Sequence, residues 1–130
     1  MDQALLNLAI KAMQNAYAPY SHFQVGSAIR STNGKIYSGS NVENAAYPEG
    51  CCAEASAISA MIRDGERIIS EIIVVGKGEN LVTPCGGCRQ KIREFATTET
   101  KIHVCDPQGL RKSYTIEQLL PDSFGPENLK

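Results

Sequence analysis

Three cysteines and one glutamate are the residues of this chain best suited to chemistry. The segment Cys52-Ala53-Glu54 is followed later in the sequence by Pro84-Cys85-Gly86-Gly87-Cys88. A structural zinc site is closed by four protein ligands, whereas a catalytic site uses three and leaves one position for water or substrate. The pattern therefore indicates a catalytic zinc site, with Cys52, Cys85 and Cys88 as ligands and Glu54 as a free carboxylate.

Two other interpretations of these residues remain open. The Cys-x-x-Cys pair is common in metal sites of many kinds. A structural zinc site would be completed by Cys51 or His103, and the cysteines could also be buried without any metal. Glu54 could be an ordinary residue of a first helical turn, where the helix dipole favours a carboxylate. Its place two residues after a ligand favours the catalytic role.

The elements that carry these residues are predicted to be helices that begin at the cysteines. Apolar residues recur at helical spacing from Ala53 to Ile62, and Pro84 is well placed to start another helix. Free N–H groups at helix N-termini stabilise thiolates, so we expect a lowered pKa at all three cysteines. A catalytic zinc lowers the pKa of water, and Glu54 is placed to accept the proton.

The rest of the chain alternates helical and strand patterns, which predicts an α/β fold of about five strands and three or four helices. A helix is predicted over residues 3–16. Strands are predicted over 25–30 and 35–39, joined by an Asn-Gly turn. The β-branched run 72–75 predicts a central strand covered on both faces. Further strands at 101–105 and 111–114 precede a capping box that begins at Thr115, and the tail from Pro121 reads as irregular.

Composition narrows the class of protein. The 130 residues, 42% of them hydrophobic, predict one domain spanning residues 1–130. The net charge is −1, and only 6% of the residues are aromatic. Binding of a nucleic-acid polymer requires a basic surface with aromatic residues for stacking, so this class of protein is not favoured. No segment reads as an export signal or a membrane span. Five cysteines, an odd number, then favour thiolate ligands and free thiols in the cytoplasm.

Four segments together resemble the short, homotetrameric class of cytidine deaminases. They are residues 18–26 (APYSHFQVG), 41–47 (NVENAAY), 52–54 (CAE) and 84–90 (PCGGCRQ). The resemblance covers nearly the whole chain. It implies a three-layer α/β/α sandwich around a mixed sheet of about five strands. It also implies one Zn²⁺ per chain, with Glu54 as the proton carrier in hydrolysis of cytidine and deoxycytidine to uridine, deoxyuridine and ammonia.

The same resemblance implies a substrate pocket. Phe23 would line it, Asn41 and Glu43 would bind the ribose hydroxyls, and the backbone of Ala53 and Thr83 would read the edge of the base. Such polar groups penalise a ligand that lacks the sugar. Without the resemblance, Asn41 and Glu43 would be turn residues, and Phe23 would belong to the core.

Three further positions, Phe124, Ala55 and Cys51, bear on the assembly and on the charge of the site. The resemblance implies that Phe124 reaches into a neighbouring subunit's site within a homotetramer; otherwise it is a tail aromatic. Many three-cysteine members carry an arginine where this chain has Ala55. We expect helix N–H groups and another residue, such as Arg89, to balance the charge of three thiolates. Cys51 is either a spectator thiol or a competing ligand.

Three other functions are weighed against this one. A deaminase of another aminopyrimidine nucleoside, such as blasticidin S, would share the fold, but the segment 41–44 favours plain cytidine. A polynucleotide cytosine deaminase would need basic or aromatic surface for flanking nucleotides. A non-catalytic zinc-binding module would need a fourth ligand and would have no use for Glu54.

Overall fold

The computed structural model describes residues 1–129, in which five strands form one mixed sheet. They are β1 (Val25–Ser31), β2 (Ile36–Ser40), β3 (Ile69–Gly76), β4 (Lys101–Asp106) and β5 (Gly109–Tyr114). Their order across the sheet is β2-β1-β3-β4-β5. Strands β3 and β4 run parallel, and the other neighbours run antiparallel. The prediction of about five strands with a central 72–75 strand is confirmed.

Helices cover both faces of this sheet. They are α1 (Gln3–Gln14), α2 (Ala53–Arg63), α3 (Gly86–Phe95) and the short α4 (Ile116–Leu119). Helix α1 packs on one face, in a cluster that includes Ile73 and Val75. Helices α2 and α3 pack on the opposite face, in a cluster that includes Ile72 and Ile102. The three-layer α/β/α sandwich is therefore confirmed.

The central strand shows why its sequence lacks alternation. Residues Ile72 to Val75 are each at most 1% exposed, because α1 covers one side chain and α2 or α3 covers the next. A strand buried on both faces is apolar throughout. The strand extends beyond the predicted run at both ends, since Glu71 still pairs with β1 and β4, and Gly76 pairs with Val25 of β1.

Other differences from the sequence-based prediction lie at element ends. Helix α1 ends at Gln14 with Asn15 as its C-cap, two residues before the predicted end. The capping box of Thr115 and Gln118 is present. The tail is not wholly irregular, because Pro126–Leu129 forms a 3₁₀ turn. Among residues 1–129, no helix combines the length and apolarity needed to cross a membrane.

Three segments from separate parts of the chain meet at one edge of the sheet. Strands β2 and β3 both run antiparallel to β1, so they end at the edge where β1 begins. Asn41 follows the end of β2, Val25 starts β1, and the loop after Gly76 leaves β3. In α/β folds, ligands bind beyond the carboxyl ends of such strands.

Helix α2 approaches this edge closely because Gly39 has no side chain. A Cβ atom at this position would lie 2.6 Å from the Ala53 carbonyl oxygen and would also collide with the Ala57 nitrogen. The backbone of α2 therefore rests directly on β2. This contact sets the height of the first turn of α2 above the sheet.

We predict that Gly39→Ala destabilises the protein by about 1–3 kcal/mol, because a methyl group in a packed contact forces backbone shifts. Urea unfolding followed by circular dichroism measures the change. Ser38→Ala is the matched control, since Ser38 precedes Gly39 and faces the other side of the sheet. Equal unfolding midpoints for Gly39→Ala and the unmodified protein would contradict the close-packing argument.

Candidate active site

The N-termini of α2 and α3 bring three thiols together. Cys52 is the N-cap of α2 and Cys85 is the N-cap of α3. Cys88 lies in the first turn of α3, where it is buried. The three sulfur atoms lie within 4.8 Å of one another. Both helices thus begin where the sequence predicted.

The spacing of these sulfurs fits a zinc ion. Sulfur ligands at about 2.3 Å from a tetrahedral zinc stand about 3.8 Å apart, which is within the observed limit. Three thiols are also a donor set that zinc prefers. Among the described residues, no fourth histidine, cysteine, aspartate or glutamate places a ligand atom within this distance of all three sulfurs.

Neither of the two residues considered as a fourth ligand joins the cluster. The Cys51 thiol contacts the Cys52 carbonyl oxygen at 3.6 Å and lies outside the group of three sulfurs. His103 is held between Ser113 at 2.7 Å and Glu71 at 3.0 Å. It shares the α1 side of β4 with Cys105 by strand alternation. The cluster therefore keeps an open coordination position.

The thiols differ in how readily they ionise without a metal. The Cys88 backbone N–H donates to the Cys85 sulfur and lowers the pKa of Cys85. Burial raises the pKa of Cys52 and of Cys88, and the nearby Glu54 charge raises both further. The expectation of a lowered pKa at all three cysteines is therefore wrong for two of them. Burial outweighs the helix N-terminus there.

Glu54 lies beside the cluster in the first turn of α2. It is only 4% exposed. Burial raises the pKa of Glu54, while its own backbone N–H and the charge of Lys91 act in the opposite direction. A carboxylate in such surroundings is a strong proton acceptor and, once protonated, a ready donor. The residue is thus suited to moving protons within the cavity that it lines.

A cavity of about 190 Å³ contains Glu54 and part of the sulfur cluster. Its walls include four of the residues expected to contact a substrate, namely Phe23, Asn41, Ala53 and Thr83. The remaining wall is apolar and comes from Val25, Val74 and Val82. The sequence analysis did not predict these valines as cavity residues. In the sequence they resemble ordinary core residues, and only their place in the fold shows that they line the cavity.

Asn41 anchors the wall that carries Phe23. Its side-chain oxygen accepts from the Val25 N–H at 2.8 Å, and its amide nitrogen donates to the Phe23 carbonyl at 3.0 Å. Phe23 is nevertheless 44% exposed. The position of Phe23 is therefore fixed through its backbone, while its ring stays open to a ligand.

Glu43 does not line this cavity. Its carboxylate accepts from the backbone N–H groups of Tyr20 and Ser21 at 3.0 and 3.1 Å, and from the Ser21 hydroxyl. These bonds lower the pKa of Glu43, with the Ser21 hydroxyl as the largest cause. The residue lines a separate surface pocket together with Tyr20, Ser21 and Tyr47. In the single chain it holds the segment that precedes Phe23.

Phe124 also lies outside the cavity. Its side chain is 57% exposed, and its carbonyl accepts from Gln90 on α3 at 3.0 Å. Arg93 of the same helix bonds Ser123 at 3.0 Å. The C-terminal segment is thus fastened to α3 by its backbone and by Ser123, with the aromatic ring directed outward.

Arg89 is fixed by hydrogen bonds to the loop that leads into α3 and to the end of α4. Its guanidinium donates to the carbonyls of Pro84 at 2.7 Å and Leu119 at 2.9 Å, and to the Thr83 hydroxyl at 3.2 Å. It therefore braces the loop that leads into α3, and its hydrogen bonds go to oxygens and not to the thiols.

Comparisons with known proteins agree with this geometry. The model of the cytidine and deoxycytidylate deaminase zinc-binding region matches residues 1–104. A cytidine deaminase of Halalkalibacterium halodurans is 39% identical over 127 residues, which is 98% of this chain and 96% of the relative. A cytidine deaminase of Sporosarcina psychrophila is 40% identical over 119 residues, covering 92% of this chain and 88% of the relative.

Solved structures show the same likeness. The crystal structure of cytidine deaminase from Burkholderia pseudomallei aligns with a TM-score of 0.88 at 38% identity, over 95% of this chain and 100% of that one. The enzyme from Mycobacterium tuberculosis aligns with a TM-score of 0.79 at 34% identity, over 94% and 95%. Given the three-sulfur cluster, the buried Glu54 beside it and these matches, the chain belongs to the zinc-binding cytidine deaminase family.

Proposed function

We propose that this protein hydrolyses cytidine and deoxycytidine to uridine and deoxyuridine, with release of ammonia. The observation that carries the proposal is the buried carboxylate of Glu54 in one cavity with a three-thiol cluster. Three thiols leave one position open on a tetrahedral metal, as hydrolysis requires. A binding module would need no proton carrier at that place.

The proposed reaction uses Glu54 for every proton transfer. Zinc held by Cys52, Cys85 and Cys88 would supply Lewis-acid activation of water near neutral pH. Glu54 takes a proton from the attacking water and delivers it to N3 of the pyrimidine, while the oxygen bonds to C4. Glu54 then moves the second water proton to the amino group, which leaves as ammonia. Water and cytidine are consumed in equal amounts.

We assign the walls of the cavity to substrate binding. The exposed ring of Phe23 offers a face to the base, and the Ala53 and Thr83 backbone offers hydrogen bonds to its edge. Asn41 has one amide hydrogen left for a ribose hydroxyl after its two backbone bonds. Glu43 retains lone pairs for the other hydroxyl, and we place the sugar between the cavity and the pocket that Glu43 lines.

The assembly we propose is a homotetramer in the cytoplasm, built from a single domain per chain and acting on free nucleosides. A cavity of about 190 Å³ is small for a nucleoside and is partly open to solvent. The exposed Phe124 ring is available to cover the open side of a neighbouring subunit. The five cysteines are free thiols, which agrees with a reducing compartment.

We predict that Glu54→Gln lowers turnover of cytidine by at least about 10²- to 10⁴-fold, because general acid and base catalysis is lost. The decrease in cytidine absorbance measures the rate, and atomic absorption measures zinc content. Zinc content stays at that of the unmodified protein, since Glu54 is no ligand. Full turnover in the variant, or a zinc-loaded parent protein that releases no ammonia from any nucleoside, would overturn the proposed reaction.

We predict that Cys85→Ser reduces bound zinc far below one equivalent per chain, because zinc prefers thiolate to a hydroxyl. Cys51→Ser is the matched control and keeps about one equivalent, because Cys51 lies outside the cluster. Both variants are purified without chelator, and zinc is measured with a colorimetric indicator. Loss of zinc in Cys51→Ser would show that Cys51 is a ligand after all.

We predict that Phe124→Ala raises the KM for cytidine about tenfold, because stacking of a base on an aromatic ring contributes about 1–3 kcal/mol. Light scattering determines whether the tetramer persists. Leu129→Ala, which truncates another exposed side chain of the same tail, leaves KM unchanged. An unchanged KM in Phe124→Ala, with the tetramer intact, would remove Phe124 from the neighbouring site.

A further inference from the structure

The tail that carries Phe124 is fastened to α3 by two side chains that lie about one turn apart. Arg93 donates from Nε to the Ser123 hydroxyl at 3.0 Å, and its Nη2 atom pairs with the Glu127 carboxylate at 2.5 Å. Gln90 donates from its amide nitrogen to the Phe124 carbonyl oxygen at 3.0 Å. These contacts, the tail clamp, lie before, at and after Phe124. They fix the backbone on both sides of this residue.

Gly125 explains how the arginine comes so close to the tail. The residue is buried, and a Cβ atom at this position would lie 2.5 Å from the Arg93 guanidinium carbon. Its N–H donates to the side-chain oxygen of Asn128 at 2.9 Å, and its carbonyl accepts from the Asn128 N–H at 3.0 Å. The guanidinium therefore rests against the tail backbone directly after Phe124, and a side chain at position 125 would displace it.

The tail clamp orders a segment whose one aromatic side chain stays outside the core. Phe124 is 57% exposed and belongs to neither of the two core clusters. Fixing an irregular segment costs conformational entropy, and the contacts with α3 offset this cost in the single chain. An exposed aromatic side chain on an ordered segment can then bind a partner with little further loss of entropy. The arrangement thus suits a side chain that contacts another chain.

We propose that Arg93 and Gly125 are positioning residues, which hold Phe124 where it enters the cavity of a neighbouring copy of the chain. The inference rests on the homotetramer and on the role of Phe124 proposed above. Arg93 is not among the residues that line the cavity, so it acts through the tail. Its planar guanidinium donates to Ser123 and Glu127 at once, a geometry that the single ammonium group of lysine does not reproduce.

Hydrogen exchange of the tail amides tests the clamp in the absence of any nucleoside. Arg93→Met keeps an unbranched side chain and removes the donors, so we expect these amides to exchange about three- to tenfold faster, because the tail opens more often. Gly125→Ala gives the same change while the charge is retained, because its methyl group displaces the guanidinium. A peptide from α1 serves as the internal reference. Exchange as slow in both variants as in the unmodified protein would overturn the inference.

A double-mutant cycle with cytidine as substrate determines whether Arg93 acts through Phe124. Arg93→Met raises KM about three- to fivefold and changes kcat less than about twofold, because the aromatic ring is correctly placed for a smaller fraction of the time. In a Phe124→Ala background, the same substitution changes KM less than about 1.5-fold, since no ring remains to be placed. Lys11→Met, which removes an exposed positive charge from α1, leaves KM unchanged. Light scattering checks that every variant remains a tetramer.

Two results of this cycle would also overturn the inference. One is a KM in Arg93→Met equal to that of the unmodified protein. The other is a rise in KM that persists in the Phe124→Ala background, because Arg93 would then affect the site by another route. The exchange measurement requires no turnover. A failure of the tail clamp is therefore distinguished from a failure of the proposed deamination, which would show as an unmodified protein that releases no ammonia.

Discussion

The whole site depends on two helix N-termini meeting at one edge of the sheet. Helix α2 reaches that edge because Gly39 lets its backbone rest on β2. Helix α3 reaches it because β3 and β4 are parallel, so the chain must cross over between them through a helix. Cys52 and Cys85 are the N-caps of these helices. The three-sulfur cluster is thus a consequence of sheet topology and of one close contact.

A second constraint is electrostatic. The fold buries Glu54 beside three potential thiolates. Burying several negative charges together is energetically costly, because they lose hydration and repel one another. The backbone N–H of Cys88 relieves this at Cys85. Burial prevails at Cys52 and Cys88, which favours their protonated forms until a divalent ion binds. The site is therefore organised around a positive ion that it does not itself supply.

The sequence predicted this cysteine cluster because the signal for it is local. A helix start can be recognised from neighbouring residues, and so can a cysteine at its N-cap. The central strand was predicted for a similar reason, since an uninterrupted β-branched run has few other uses. The surroundings of Glu43 and Arg89 were not predictable, because they depend on which carbonyl, hydroxyl or N–H the fold brings near. The Ser21 hydroxyl bonds Glu43, and the Thr83 hydroxyl bonds Arg89. Neither hydroxyl is adjacent in sequence to the residue that it bonds.

Two residues that follow β2 show how proposed binding residues can also hold the fold together. Asn41 and Glu43 follow β2, and both fasten the segment from Tyr20 to Val25 by accepting or donating backbone hydrogen bonds. The same two side chains are those assigned to the ribose. Their geometry is therefore set before a ligand arrives, which reduces the entropy lost on binding. It follows that a substitution at either residue would alter both the proposed sugar contacts and the position of Phe23, so its effect on KM would not measure a ribose hydrogen bond alone.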